Sequence, residues 1–423
     1  MTGRIVIVGA GVAGATAART LRTEGYTGEI VLLGAEHSAP YRRPMVSKEL
    51  LAGTAEERRT LLQPADFWHS HDIELRIGVR VTSIDPGPGL VWLADGTAVG
   101  YDSLLLATGA RPRALNLSPG ESATIRGSYG GVSANGRMLT LRGRADAEAL
   151  RAAIERAGSL LIVGAGLIGC EVAATARALG AEVAVLDAGS APVERVAPGV
   201  VGEYIRNLHA QNGVAMHTDV RLTDLAHDGT EVVAVADDDR SWTAGSVLVA
   251  IGSVPDTSLA EAAGLAVADG IRVDECYRTS APGVYAAGDA AGRFDPDSGE
   301  YRREEHWNSA QFQGAAAARS MLGRPRGAEE VPWGWSLQYG RNIQFAGRIR
   351  ADDDQVVRGS VEAGDATVIG VREGRATGVV AIGRAAEFRA ARNLLGAGTR
   401  VDAIACADES RPLTDGLALS GQS

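Results

Sequence analysis

The sequence predicts an α/β protein made of two Rossmann-like dinucleotide-binding units and a small C-terminal α+β domain. Three observations carry that prediction. An apolar β-branched run at 5–8 leads into Gly9-Ala10-Gly11-Val12-Ala13-Gly14, followed by an Ala/Leu/Arg stretch at 15–22. The same order returns 155 residues later, with an apolar run at 160–163, Gly164-Ala165-Gly166-Leu167-Ile168-Gly169, and a helical stretch at 171–179. The last hundred residues change character, to short apolar runs around a Glu373-Gly374 turn, as in a small sheet with hairpins. A repeat displaced this far means two related domains, since solenoids repeat every 20–50 residues.

Each element has a local reason. The run 5–8 is unbroken because a parallel strand is covered on both faces. Gly25 closes the helix 15–22, and a second strand follows at 30–33. An irregular stretch spans 35–48, with shorter strands near 74–77 and 90–93. The strand 104–107 stops at Thr108-Gly109-Ala110-Arg111-Pro112, a turn signal. In the second unit a helix at 146–156 precedes the strand 160–163, and strands at 182–186 and 247–250 follow. A strand at 283–287 and an Ala-rich helix at 309–322, broken by Gly323-Arg324-Pro325, come next. The C-terminal part reads as strands at 343–347, 366–371 and 377–381 and a helix at 385–395, and 118–135 reads as linker. Because Gly288-Asp289 must return to the first glycine turn, the first domain is discontinuous, 1–112 with 246–325. The second, 113–245, is inserted in it, and 326–423 comes last.

Composition removes whole classes of function. The 423 residues are 45% hydrophobic and 22% charged, with a formal charge of −10. No long Lys/Arg run offers a nucleic-acid footprint. No apolar run approaches the ~20 residues of a membrane span, and Met1 runs directly into a strand without an export signal. A cytoplasmic protein is expected. Cys170, Cys276 and Cys406 lie far apart, which argues against disulfide scaffolds, a redox dithiol and cysteine-ligated clusters. His69-x-His71 has no ligand companions, so no metal site is expected. The basic residues comprise 41 arginines and one lysine, Lys48. Lysine supplies a compact, mobile point charge that arginine's planar fork does not, which marks Lys48 as a candidate functional residue.

The glycines have separable roles: a tight turn at Gly9, close approach of a pyrophosphate at Gly11, helix–strand packing beside Ala13 at Gly14. Glu36, 22 residues after Gly14, stands where an acid meets a ribose. Gly164, Gly166, Ile168 and Gly169 repeat the arrangement, with Asp187 ending the next strand. Two such units imply two dinucleotides, FAD and a nicotinamide cofactor. The residues after Asp187 offer no arginine for a 2′-phosphate, so NADH is favoured over NADPH. Gly288-Asp289 at a strand end suits flavin ribityl hydroxyls, and Arg43 and Lys48 are cations available to the flavin or its pyrophosphate.

At these motifs the sequence resembles the FAD-dependent ferredoxin reductases, which serve bacterial cytochromes P450 and ring-hydroxylating dioxygenases within the glutathione-reductase-like superfamily. Pro40-Tyr41-Arg42-Arg43-Pro44-Met45-Val46-Ser47-Lys48 matches that family's Pro-Tyr-x-Arg-Pro-Pro-Leu-Ser-Lys at all but two fixed places. Ala107-Thr108-Gly109-Ala110-Arg111-Pro112, Thr279-Ser280 through Gly288-Asp289, and Arg303-x-Glu305-x-Trp307 through Gln313-Gly314 match its other signatures. The resemblance implies Arg43, Lys48 and Asp289 as FAD ligands, Trp307 beside the isoalloxazine and Glu171 near the nicotinamide; Lys48, Glu171 and Trp307 are the catalytic candidates. The cofactor-binding candidates also include Val81, Ala107, Thr108, Gly109, Arg111, Gly288 and Gly252. The implied activity is hydride transfer from NADH to FAD, then single electrons to a 2Fe-2S ferredoxin and through it to an oxygenase, by a monomer or homodimer.

Three departures from the family's pattern matter, the second of them for the acceptor. The segment 121–139 is an added Gly/Ser-rich excursion. In Pro332-Trp333-Gly334-Trp335-Ser336-Leu337-Gln338, Gly334 replaces an aromatic and Leu337 an aspartate, and Pro255-Asp256 replaces Pro-Asn. An acidic ferredoxin would need a local basic patch, for which Arg111, Arg302, Arg303, Arg341 and Arg348 are candidates. Trp333 and Trp335 read more readily as packing than as an electron path. Two alternatives stay open: two-electron transfer to a small organic substrate or dioxygen, and an NADH-sensing flavoprotein whose flavin governs assembly.

Overall fold

Apolar runs that end in glycine become the buried central strands of two parallel sheets. The computed structural model describes residues 3–117, 136–227, 230–295, 298–327, 331–395 and 398–418. From the N-terminus, β1 (Arg4–Val8) passes through the first glycine turn into α1 (Val12–Thr23) and returns as β2 (Glu29–Gly34). Then come β3 (Ile73–Ile77) and β4 (Ser103–Leu106). The second half opens with β5 (Met138–Leu139), α2 (Arg144–Ala157), β6 (Ser159–Val163), α3 (Leu167–Ala178) and β7 (Glu182–Leu186). It continues with α4 (Gly199–Gln211), β8 (Val214–His217) and β9 (Val247–Val249). β10 (Val284–Ala286) and α5 (Trp307–Met321) follow. The end of the chain holds β11 (Trp333–Gln338), β12 (Arg341–Gly347), β13 (Asp354–Ser360), β14 (Asp365–Arg372), β15 (Arg375–Ile382) and α6 (Ala385–Leu394).

The first sheet has the order β10-β4-β1-β2-β3 and the second β8-β7-β6-β9-β5, all parallel. Each glycine turn therefore leaves a central strand. Leu104, Leu105 and Leu106 are fully buried, each removing side-chain surface from water at ~1.5–3 kcal/mol. The repeat extends beyond the turns. Each unit carries a three-stranded antiparallel meander, Val81–Asp85 to Ala98–Gly100 and Leu222–His227 to Ser241–Ala244, immediately before the strand that pairs with its central one. The C-terminal strands form an antiparallel sheet, β11-β12-β15-β14-β13. The sequence reading omits β11 and β13 and, of the meanders, contains only 90–93.

The chain packs as two compact units. Met1–Pro44, Ala55–Arg111 and Ser253–Glu330 form the first; Met45–Thr54, Pro112–Gly252 and Val331–Ser423 form the second. This differs from the expected partition at 45–54, at 246–252 and at the C-terminal domain. Leu51 is fully buried in the same hydrophobic cluster as Leu150, Ile162, Phe345 and Val380, so both segments share the core of the second unit. The linker-like 118–135, with most of the 121–139 excursion, lies outside the described residues. The end of that excursion is ordered as β5, an edge strand of the second sheet.

Candidate functional site

In the first unit the three glycines divide the work. Gly9 has φ 112°, and a Cβ there would lie 2.0 Å from the carbonyl oxygen of Ala107. A Cβ on Gly14 would fall 1.9 Å from the Gly9 carbonyl oxygen. Both are thus consumed by packing within the protein. At Gly11 a Cβ would meet nothing within 4 Å. Gly11 stands at the N-cap of α1 with extended backbone, the place where a helix leaves its first N–H groups for an anion such as a pyrophosphate. Ala13 serves α5: a Cβ on Gly314 would be 2.1 Å from its carbonyl oxygen, and one on Gly288 2.9 Å from its Cβ.

Around this turn the structure gathers several expected residues. Glu36 accepts from Arg43 Nη2 at 2.6 Å and from Tyr41 Oη at 2.8 Å, and the Arg43 guanidinium stands 5.2 Å over the Tyr41 ring. Burial opposes the Arg43 charge, yet Tyr41, Glu36 and Asp289 outweigh it and raise its pKa, which brings Asp289 into the same electrostatic neighbourhood. Gly288 N–H donates to Gln313 Oε1 at 2.9 Å, anchoring the short turn that presents Asp289. Thr108 Oγ1 donates to the Asp256 carbonyl at 2.6 Å, and Asp256 N–H to that of Gly109 at 2.9 Å, so Pro255-Asp256 buttresses the turn after β4. Trp307 starts α5 and is partly exposed there, Val81 is half-buried at the head of its meander, and Arg111 is exposed. Arg303 departs from the basic-patch expectation: its side chain is 7% exposed and bound to Asp269 and Glu305 at 2.7 and 2.6 Å.

The second glycine turn has the same backbone. Gly164 has φ 111°, a Cβ there would be 2.4 Å from the Ala250 carbonyl oxygen, one on Gly169 would be 1.9 Å from that of Gly164, and one on Gly166 would meet nothing. Gly252 lies two residues beyond Ala250, where Gly109 lies beyond Ala107, and its carbonyl accepts from Arg113 N–H at 2.9 Å. The acid behaves differently here. Asp187 accepts from the backbone N–H groups of Ala165 and, at 2.7 Å, Gly189, while Val193 N–H donates to the Ala165 carbonyl at 3.0 Å. Both ends of the Ala165 residue are thereby pinned. Val193 holds this contact at φ 53°, a strained region for a β-branched residue. Glu194 binds Ser190 and lies beside Gly189, whose Cβ would be 2.5 Å from Glu194 Oε1 and 2.9 Å from Asp187 Oδ1. Ile168 is 41% exposed at the head of α3.

One turn along α3, Glu171 is buried and ion-paired. Lys48 Nζ lies 2.5 Å from its Oε2, with side-chain exposures of 13% and 4%. Ser47 Oγ donates to the same oxygen at 2.5 Å and Ser336 Oγ to Oε1 at 2.8 Å. Glu171 is therefore a buried, paired carboxylate, and the lone lysine is its counter-charge within the second unit. Beyond Ser336 the contacts continue to Gln338, His209 and Tyr339. Burial pushes the His209 imidazole down to about 4 against the pull of its Gln338 bond, and pushes the Tyr339 phenol up. Sequence reasoning singled out neither Ser336, Gln338 nor His209 as site residues. The signal for the first two was the two-residue spacing, which puts both on one face of a strand; Gly334 shares that buried face. The tryptophans pack, as expected: Trp333 lies 5.9 Å from Trp335 and 6.0 Å from Phe388, under Arg392.

Residues 3–314 match the pyridine nucleotide-disulphide oxidoreductase family, and 333–417 the reductase C-terminal family. The chain is 38% identical over 407 residues (95% of this chain, 96% of the relative) to the anthranilate 1,2-dioxygenase system ferredoxin–NAD(+) reductase component of Burkholderia cepacia. It is 36% identical over 415 residues (98% of each chain) to the benzene 1,2-dioxygenase system ferredoxin–NAD(+) reductase subunit of Pseudomonas putida. Among solved structures, the covalent putidaredoxin reductase–putidaredoxin complex superposes with a TM-score of 0.89 at 32% identity, covering 98% of this chain and 97% of the other. The chain thus belongs to the pyridine nucleotide-disulphide oxidoreductase family.

Proposed function

We propose that this protein is the reductase component of an oxygenase system, taking hydride from NADH onto FAD and passing electrons one at a time to a 2Fe-2S ferredoxin. The observation that carries this reading is the pair of open second glycines, Gly11 and Gly166, each before a helix N-terminus. Bound FAD supplies the link between two-electron hydride chemistry and single-electron transfer. The chain's own residues bind and orient. The N–H groups at the head of α1 receive one pyrophosphate and those of α3 the other. Glu36 serves a ribose of FAD, Arg43 adds a cation, Asp289 accepts from ribityl hydroxyls, and Trp307 offers an apolar wall. Ile168 presents apolar surface to the nicotinamide half of NADH, and Glu171, held by Lys48 and Ser47, orients its carboxamide. Lys48 acts on the nicotinamide side through Glu171, as its counter-charge.

Asp187 and Glu194 flank Gly189, an anionic lip that repels the extra phosphate of NADPH. Among the described residues no helix is long and apolar enough to cross a membrane. Anaerobic stopped-flow absorbance tests the whole reading. NADH should bleach the flavin far faster than NADPH, and mixing with an oxidised 2Fe-2S ferredoxin from the same organism should reoxidise it as the cluster bleaches at the same rate. Reduced flavin that ignores ferredoxin but reoxidises rapidly with a small quinone or air would overturn it.

A further inference from the structure

The contacts behind Glu171 have one consistent hydrogen-bond direction. A carboxylate accepts and cannot donate. Ser336 must therefore give its only O–H to Glu171 Oε1, 2.8 Å away, and receive the Gln338 amide N–H at 3.0 Å. That turns Gln338 Oε1 toward His209 Nε2 at 3.0 Å, so Nε2 carries the ring proton. Nδ1 is then an acceptor, and Tyr339 Oη donates to it across 3.0 Å. Burial keeps the imidazole neutral, so a single tautomer satisfies both neighbours. Ser336, Gln338 and His209 are all at most 1% exposed. A chain like this is either satisfied throughout or expensive.

A second feature points the same way. Tyr339 and Gly340 form the two-residue turn between β11 and β12, with φ values of 49° and 76°. Such turns favour Asn or Gly at the first place, and a bulky residue there is strained. The tyrosine's hydroxyl is what reaches His209. Three donors (Ser47, Lys48 and Ser336) occupy Glu171, which has about four lone-pair sites. The remaining one lies on Oε1, the oxygen that Ser336 orients.

We propose that Tyr339, His209, Gln338 and Ser336 form a one-way donor chain that turns the Glu171 carboxylate so that its remaining lone pair meets the nicotinamide carboxamide. Ser336, Gln338 and His209 are then positioning residues for NADH. The proposal rests on the reading that the second unit receives that cofactor. It differs from mere packing in what its loss does: the fold persists, but the nicotinamide is misaligned.

The test uses the full FAD-loaded chain in four variants: Ser336→Ala, Gln338→Leu, His209→Leu and His209→Gln. Flavin content and thermal melting establish folding. NAD+ affinity comes from titration calorimetry, and the limiting rate of flavin reduction from anaerobic stopped flow. Ser336→Ala, which removes one oxygen and is the least disruptive to the fold, should lower the limiting rate about tenfold and weaken NAD+ binding, with flavin content unchanged. Gln338→Leu and His209→Leu should follow it, whereas His209→Gln, whose amide can still donate to Gln338, should recover most of the loss. Wild-type rates and NAD+ affinity in a folded Ser336→Ala protein would overturn the proposal, as would equal losses in His209→Leu and His209→Gln. If the wild-type protein binds NAD+ but is not reduced by NADH, the reductase reading falls. The NAD+ affinities then decide the donor chain by themselves, a weakened Ser336→Ala supporting it and an unchanged one ending it.

Discussion

The two glycine turns share a backbone and differ in what surrounds them. Gly9 and Gly164 have φ values of 112° and 111°, and in both turns a Cβ on the third glycine would fall 1.9 Å from the carbonyl oxygen of the first. Steric demands that tight leave no freedom to vary. The acids do vary. Glu36 reaches sideways to Tyr41 and Arg43, whereas the shorter Asp187 folds back onto the N–H groups of Ala165 and Gly189. The position two residues past each turn varies too: Thr16, buried in α1, is matched by Glu171, buried in α3. The steric skeleton of a dinucleotide site is thus fixed by the repeat, while its chemistry is set by the side chains placed next to it.

The largest expected effects separate skeleton from site. Gly14→Ala and Gly169→Ala each drive a methyl into backbone that cannot swing aside, and should destabilise the protein by about 3 kcal/mol or more. Gly11→Ala and Gly166→Ala point into open space. These two should melt within a few degrees of wild type, yet lose FAD and NADH affinity respectively, because the methyl occupies the phosphate's approach. Differential scanning calorimetry paired with cofactor titration checks all four. A Gly166→Ala protein that melts early would mean the second turn is not open as described.

The same contrast explains what could be read from sequence. Turns, central strands and acids were legible because their constraints are local: a glycine pattern, an unbroken apolar run and a fixed spacing suffice. The meanders were not, since residues such as 81–85 and 222–227 alternate weakly and are half-exposed. Strand β11 was hidden because the motif at 332–338 mixes Trp, Gly, Ser and Gln. Lys48 drew attention by composition, but its partner, Glu171, lies 123 residues away, and only folding reveals that the pair belongs to the second unit. His209 gave no signal at all. One histidine in an amphipathic helix looks like any other until Gln338 and Tyr339 are found on either side of it.

His209 also makes the second unit acid-sensitive. Its folded value of about 4 lies below the ordinary 6.5 because burial disfavours the imidazolium. The unfolded chain therefore binds the proton first as pH falls. The stabilisation is complete above pH 6.5 and lost progressively toward pH 4, amounting to about 3 kcal/mol at the lower end. Thermal melts of wild type and His209→Gln at half-unit pH steps should keep a constant offset above pH 6.5, with the wild type losing stability relative to the variant between pH 6.5 and 4. Parallel curves would mean the imidazole titrates normally in the folded protein.

The smallest effect concerns the acids themselves. Asp187→Asn keeps one acceptor oxygen but turns an NH2 toward a backbone N–H, leaving a donor facing a donor at Ala165 or Gly189; the expected loss is about 1–2 kcal/mol. Glu36→Gln retains a bond to Tyr41 or Arg43 at a half-exposed place, where an ion pair contributes at most about 1 kcal/mol. Stability and cofactor affinity should therefore fall together in Asp187→Asn, while Glu36→Gln should weaken FAD binding with its melting temperature nearly unchanged. The distinction governs any attempt to admit NADPH. Asp187→Ala combined with Ala188→Arg removes the repelling charge and adds a phosphate partner, so the NADPH/NADH ratio of kcat/KM should rise. The same change unties Ala165, so the gain should come with a lower melting temperature and a slower NADH reaction. A double variant that switches preference at full stability would show that Val193 alone holds the turn, and that the acid of the second unit is as dispensable to the skeleton as Glu36 is in the first.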